Sequence, residues 1–234
     1  MKLTFGKSNA KLVKLEKKTG KKLFTFSVLS AWTCPGAKDC QSFATETPEG
    51  MRIRDGKHTL FRCFSASQEV LFPNVYKSRK ENMSLIELAA KSIRIAAEEI
   101  VNQLPKKAEI IRIHVGGDFK TLSYFDSWRA AAMKRPDVLF YAYTKSIPFW
   151  VKRQDVIPVN LKLVASMGGK FDQLALDNGF RTATVYTTES DVPKGLPIDH
   201  DDSYAALTDM SFALLEHGTQ KGRKSNYGYN KKGK

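Results

Sequence analysis

Apolar positions along the chain follow two rhythms. Short runs rich in β-branched and aromatic residues read as strands at 23–29 (LFTFSVL), 109–115 (EIIRIHV), 138–143 (VLFYAY), 160–165 (NLKLVA), 182–187 (TATVYT) and 211–216 (SFALLE). Between several of them the spacing turns helical. Leu85, Leu88, Ala89, Ile93, Ala96, Ala97, Ile100 and Leu104 predict one long amphipathic helix, with Ser84 as N-cap, Glu87 three residues on and Pro105 closing it. Residues 123–133 and 171–178 predict two further helices, the second stopped by Gly179, and 149–154 a short turn or helix. Strands that alternate with helices imply a parallel sheet or barrel. Residues 1–22 alternate weakly and read as an edge hairpin turning at Lys17-Lys18-Thr19-Gly20. Residues 188–210 show no period; they hold the acidic cluster Asp199-His200-Asp201-Asp202 and read as a solvated surface loop. With no repeat and no linker, the expectation is a single α/β domain over 1–220, with a basic segment at 1–22 and a mobile basic tail at 221–234.

In parallel α/β architectures ligands gather at the carboxyl ends of strands. The special motifs of this chain fall there. A loop over 30–68 follows the first strand and holds all three cysteines, Cys34, Cys40 and Cys63. Gly116-Gly117-Asp118 follows the second strand, Thr144-Lys145-Ser146 the third, Ser166-Met167-Gly168-Gly169 the fourth and His217-Gly218-Thr219-Gln220 the sixth. Within the cysteine loop, Asp55-Gly56 amid alternating residues predicts a type I′ hairpin. That hairpin would return the chain on itself and bring Cys63 back to Cys34 and Cys40.

Several chemistries fit these groups. Three thiolates can hold three irons of a [4Fe–4S] cluster and leave the fourth open. They can instead hold zinc with a fourth ligand, His58 being nearest in sequence, serve as a nucleophile, or be inert core thiols. Asp118 can act as a ligand carboxylate or merely sit near a helix N-terminus. Lys145 can bind a carboxylate or phosphate, or be a solvated charge. His114 reads as a satisfied core histidine. The cluster at 199–202 can bind a divalent cation, though a solvated loop is the plainer reading.

Charge adds a partner class. The net +14 resides in the ends: residues 1–23 carry +7 and residues 215–234 carry +5, leaving +2 for 24–214. Basic ends can contact nucleic acid or simply solubilise. No apolar run has the length of a membrane span, and 1–22 lacks the apolar core of a signal peptide, so the expectation is a cytoplasmic protein with reduced thiols and no membrane partner. Catalytic residues and oligomeric state are not readable from these patterns.

Taken together, TCPGAKDC, RCFSASQE, RIHVGGDF, FYAYTKS and FALLEHGTQ resemble the phage gene product 88 domain family, from about residue 23 to 220. That likeness places the protein in a host cytoplasm and implies no mechanism. A more distant likeness does. The cysteine loop, the Gly-Gly-acid strand end and the six-strand series are similar to radical S-adenosylmethionine enzymes. The resemblance implies an incomplete (β/α)6 parallel barrel, here with a β-hairpin inserted in the cysteine loop. It makes Cys34, Cys40 and Cys63 the ligands of a [4Fe–4S] cluster and puts Gly116, Gly117 and Asp118 at S-adenosylmethionine, with Lys145 and Ser166 on neighbouring strand ends. Phe64 stands where an aromatic residue is common beside the last cysteine. The spacing C-x₅-C-x₂₂-C departs from the usual C-x₃-C-x₂-C, which makes the hairpin a premise of the site. The expected function is iron–sulfur binding with radical chemistry on a nucleotide or nucleic-acid-related substrate. The alternative is a nucleic-acid-binding module with a structural zinc on the three cysteines.

Overall fold

The computed structural model describes residues 1–7, 9–216, 219–220 and 223–224. The chain opens with β1 (Phe5–Lys7), α1 (Ala10–Thr19) and β2 (Leu23–Phe26). A hairpin follows, β3 (Ser42–Thr47) and β4 (Gly50–Asp55), then four helices: α2 (Phe64–Leu71), α3 (Pro73–Asn82), α4 (Ser84–Lys91) and α5 (Ile93–Gln103). Alternation then sets in: β5 (Ile110–Ile113), α6 (Leu122–Lys134), β6 (Leu139–Thr144), α7 (Ile147–Val151), β7 (Leu161–Ser166) and α8 (Asp172–Asp177). The last elements are β8 (Thr182–Tyr186), α9 (Ser203–Leu207), β9 (Phe212–Leu215) and the short pair β10 (Thr219–Gln220) and β11 (Arg223–Lys224).

The fold is mixed α/β around a mostly parallel seven-stranded sheet. Its order is β1-β2-β5-β6-β7-β8-β9; only β1 is antiparallel to its neighbour. All six strands expected from the apolar runs are present and lie side by side in chain order. Alternation along each strand divides the core in two. Ile111, Ile113, Phe140 and Ala142 pack with Leu85, Ala97, Phe125 and Trp128 of the helices between β4 and β6. On the opposite face Ile110, Tyr141, Val164 and Phe212 pack against Leu12 and Leu15 of α1 and Ala205 and Ala206 of α9.

Four expectations are corrected. Residues 1–22 form an edge strand and a helix, not a hairpin: Asn9 caps α1 by accepting from the Leu12 amide, and Gly20, at φ +69°, closes it. The helix expected over 85–104 is two helices. Ser92 between them is extended, and its hydroxyl accepts from the Ile95 amide, a local bond that competes with continuing the helix. Ser84 is the first residue of α4, not its cap. The stretch 188–210 holds α9 and is partly buried, as the site makes plain. The tail expected to be mobile, 221–234, lies outside the described residues apart from Arg223 and Lys224.

Candidate functional site

The strand ends after β2, β5, β6 and β7 surround one cavity of about 700 Å³, which Cys34, Cys40, Cys63, Gly116, Gly117, Asp118, Lys145 and Ser166 all line. The three cysteines and the five residues expected at the cofactor are therefore all on its wall, whereas His58, the candidate fourth zinc ligand, and Asp201 and Asp202 of the acidic cluster are not. His217 and Gly218 lie outside the described residues.

The hairpin brings the thiols together, but its turn is not where the sequence suggested. Thr47 pairs with Gly50, so the chain reverses at Pro48-Glu49, with Gly50 at φ +110°. Asp55-Gly56 closes the other end. Ser42 pairs with Asp55, and the Gly56 amide donates to the Gln41 carbonyl at 2.7 Å, a close approach that a Cβ would obstruct. The Asp55 carboxylate accepts from Ser42 Oγ (3.0 Å), Arg62 Nε (3.1 Å) and Arg62 Nη2 (2.6 Å). The Cys63 amide then donates to Ser42 Oγ at 3.3 Å. Cys63 thus returns to within two residues of Cys40, and the 22 intervening residues become a finger, its hairpin packed along α2.

Glycines on neighbouring strand ends let this loop seat. A Cβ on Gly116 would meet Ser65 Oγ at 2.1 Å, and one on Gly117, at φ +85°, would meet Val28 and Thr33. A Cβ on Gly36 would stand 2.0 Å from the Lys145 carbonyl. Gly168 and Gly169 donate their amides to the Asp172 carboxylate at 2.8 and 2.9 Å, while the Gly168 carbonyl accepts from the Asp39 amide. The Gly-Gly motifs are first of all packing surfaces for the cysteine loop.

The thiols are unpaired and partly exposed. Burial among neighbours nevertheless raises the pKa of each; Cys63 is pushed up to about 11. For Cys34, Asp118, Cys40 and Cys63 add to the rise. For Cys40, Lys145 opposes it. The three groups are therefore within electrostatic reach of one another. Cys63 occupies the N-cap position of α2 without a side-chain cap bond. The amides of Ala66 and Ser65 favour its thiolate, but less than burial disfavours it. Among the described residues no group of three or more His, Cys, Asp or Glu side chains is placed to hold a metal ion. His58 is exposed and does not line the cavity.

Asp118 and Lys145 are both held by the protein. Asp118 Oδ1 accepts from Thr144 Oγ1 (2.6 Å) and the Phe119 amide (2.7 Å), and Oδ2 from the Lys145 amide (2.7 Å). The carboxyl ties the end of β5 to the end of β6. Burial lifts its pKa to about 6 against these bonds. The Lys145 ammonium donates to the Ser166 carbonyl (2.7 Å), Ser166 Oγ (3.2 Å) and the Met167 carbonyl. Its three protons are spoken for, so it is neither a solvated charge nor an open anion receptor. His114, at φ +63°, is buried with Nε2 3.0 Å from Tyr124 Oη, and burial lowers its pKa to about 3. Its Nδ1 has no partner among the described residues, so it is a half-satisfied wall residue rather than a fully satisfied core one.

Two buried ionic groups escaped the sequence reading. Asp202, read there as solvated, is fully buried. Its carboxylate accepts from Lys11 Nζ (2.6 Å), Arg112 Nη1 (2.5 Å), Tyr141 Oη (3.0 Å) and Tyr143 Oη (3.2 Å). Burial alone would raise its pKa, but Arg112 and then Lys11 hold it well below the usual carboxylate range. Asp199 is also buried and accepts from the amides of Asp201 and Ala205. A charged residue inside the run EIIRIHV was the available signal, since a buried arginine must be paired. The second group is Glu69, whose Oε1 accepts from the Ser30 amide (3.0 Å), Ser30 Oγ (2.9 Å) and Arg79 Nη1 (2.8 Å). It locks α2, and with it Cys63, onto the start of the cysteine loop.

A family model described as "Gene product 88" matches residues 1–232. No curated protein and no solved structure matches the chain. The likeness to radical S-adenosylmethionine enzymes therefore rests on the arrangement of motifs alone. No helix among the described residues is long and apolar enough to cross a membrane.

Proposed function

We propose a function for a chain that belongs to the phage gene product 88 family: it binds a [4Fe–4S] cluster through Cys34, Cys40 and Cys63 and acts on a nucleotide or nucleic-acid-related substrate in the adjoining cavity. One observation carries the reading. Three thiols, the Gly-Gly-Asp strand end and the ends of β6 and β7 share one cavity wall. Six parallel strands in chain order are compatible with an incomplete (β/α)6 barrel.

The donor set fits this group better than a single ion. One zinc needs four ligands around a point. A cluster takes each thiolate on a separate iron, so its ligands stand farther apart, and three protein thiolates leave one iron open. When bound, the cluster supplies one-electron chemistry; S-adenosylmethionine at the open iron is the finer form of this reading. The chain's own residues ligate, position and exclude water. Arg62 and Asp55 fix Cys63, Glu69 and Arg79 fix the helix behind it, and Asp118 joins the two strand ends that flank the opening. The metal-free thiols are protonated at neutral pH, so cluster assembly releases their protons and strengthens as pH rises.

Protein purified without oxygen is expected to be brown, absorb near ~400 nm and hold about four irons per chain. Replacing any one cysteine by serine is expected to lose that colour. Colourless protein holding one tightly bound zinc per chain would establish the zinc module instead. Loss of function on replacing only one cysteine, with no iron present, would point to a nucleophile.

A further inference from the structure

The finger beside the site carries an unassigned surface. Alternation puts Phe43 and Thr45 of β3 on one face of the hairpin, opposite Arg54 and Arg52 of β4. The other face, with Ala44 and Ile53, packs against α2. Trp32 lies against Phe43 edge-to-face, ring centroids 5.1 Å apart, and anchors its indole N–H on the Ala44 carbonyl at 3.3 Å. Despite that anchoring it remains 45% exposed. Arg52 and Arg54 are exposed and make no ion pair among the described residues. An aromatic face held rigidly beside two unpaired guanidinium groups is an arrangement that stacks a base and contacts its phosphates.

Position gives the surface its purpose. Trp32 is two residues from Cys34, and the base of the hairpin is the Asp55–Arg62 clasp beside Cys63. A strand lying along this face from tip to base therefore approaches Arg62 and Cys63, which line the cavity. A volume of about 700 Å³ with Phe61, Phe64 and Tyr143 on its wall suits one base, not a duplex. We infer that the Trp32–Phe43–Arg52–Arg54 face of the hairpin docks single-stranded nucleic acid and delivers one nucleotide to the cavity. This deepens the proposed function by naming its substrate class, and rests on it only in taking the cavity as the reacting site. The basic termini add unspecific attraction; the hairpin face supplies the stacking.

The test uses the full chain, titrated with oligothymidylate and, in parallel, oligouridylate of about 12 nucleotides, within the ~4–16 that such surfaces span. Stacking is expected to quench tryptophan fluorescence, since Trp128 is buried and Trp32 is the most exposed of the three indoles. Trp32→Ala is expected to abolish the quenching and weaken binding roughly tenfold, the size of one lost base stack. The double variant Arg52→Gln/Arg54→Gln, which touches no buried group, is expected to flatten the slope of log affinity against log salt by about 1.4, at ~0.7 per phosphate contact. Unchanged affinity in both variants would overturn the inference, as would polyglutamate binding as tightly as either oligonucleotide. Iron is measured on the same samples. Its absence would sink the cluster reading and leave strand docking standing; full iron with no strand binding would do the reverse.

Discussion

Asp118 and His114 sit four residues apart on one wall and act oppositely on stability. Folded His114 titrates near about 3, against 6.5 for an ordinary imidazole. Between those values the unfolded chain carries a proton the folded chain lacks, so stability rises with pH. Folded Asp118 titrates near about 6, against 3.8. Between those values the folded chain keeps a proton the unfolded one has lost, so stability falls with pH. From pH ~4 to ~6 the two slopes, each about 1.4 kcal/mol per pH unit, cancel. Asp118→Asn removes one of them. Urea titrations are expected to show its stability climbing relative to the parent by that slope across the window, on top of a constant loss from placing an amide N–H against the Lys145 amide. A pH-independent difference would refute the assignment. Beside them, Gly116→Ala forces a methyl onto Ser65 and Arg79 and is expected to cost about 1–3 kcal/mol. Gly117→Ala, strained by its φ as well, should cost more.

At the scale of elements, the sheet was legible and the hairpin half so. Each parallel strand is a short apolar run, all but the one at 182–187 with a motif at its end, and such runs need no distant information to be read. The hairpin was legible as an excursion, yet its turn was assigned to Asp55-Gly56, the best local signal for a two-residue loop. Tertiary contacts outvoted that signal. With the reversal at Pro48-Glu49, Ser42 and Ala44 are buried and Asp55 is opposite Ser42, where Arg62 can grip it. The break at Ser92 was hidden because the apolar spacing carries straight through it, and α2 and α3 went unread because short helices held by packing carry weak periods. The clasp makes its own prediction. Asp55→Ala leaves the seven-stranded sheet untouched but releases Arg62 and the Cys63 end of the finger. It is expected to cut iron incorporation by at least half at unchanged far-UV circular dichroism. Full iron loading would mean that α2, not the clasp, sets Cys63.

At the scale of the molecule, the least legible feature is the one that joins the two ends of the chain. Asp202 looked solvated because its counter-charges are remote: Arg112 is 90 residues away, and Lys11 belongs to a segment that read as a basic edge hairpin. Only the fold brings β5, β6, α1 and the turn before α9 to one carboxylate. The geometry gives that carboxylate four donors, and removing it strands a buried guanidinium and a half-buried ammonium. Asp202→Asn is therefore expected to cost about 3–5 kcal/mol, the range for breaking a buried ion pair from one side. Lys11→Met, which leaves Arg112 and both tyrosines in place, should cost far less. If stranded charge rather than some special geometry is the cause, the triple variant Lys11→Met/Arg112→Met/Asp202→Asn should recover part of the loss, because it leaves no unpaired buried cation while the introduced amide oxygen still accepts from Tyr141 and Tyr143. Urea midpoints across the three variants decide it; a triple variant as weak as Asp202→Asn would mean that shape, not charge, is at stake. The same result bears on the basic N-terminus. A Lys11 bound into this hub makes α1 a wall of the cavity, so deleting residues 1–22 would open the site as well as remove positive charge.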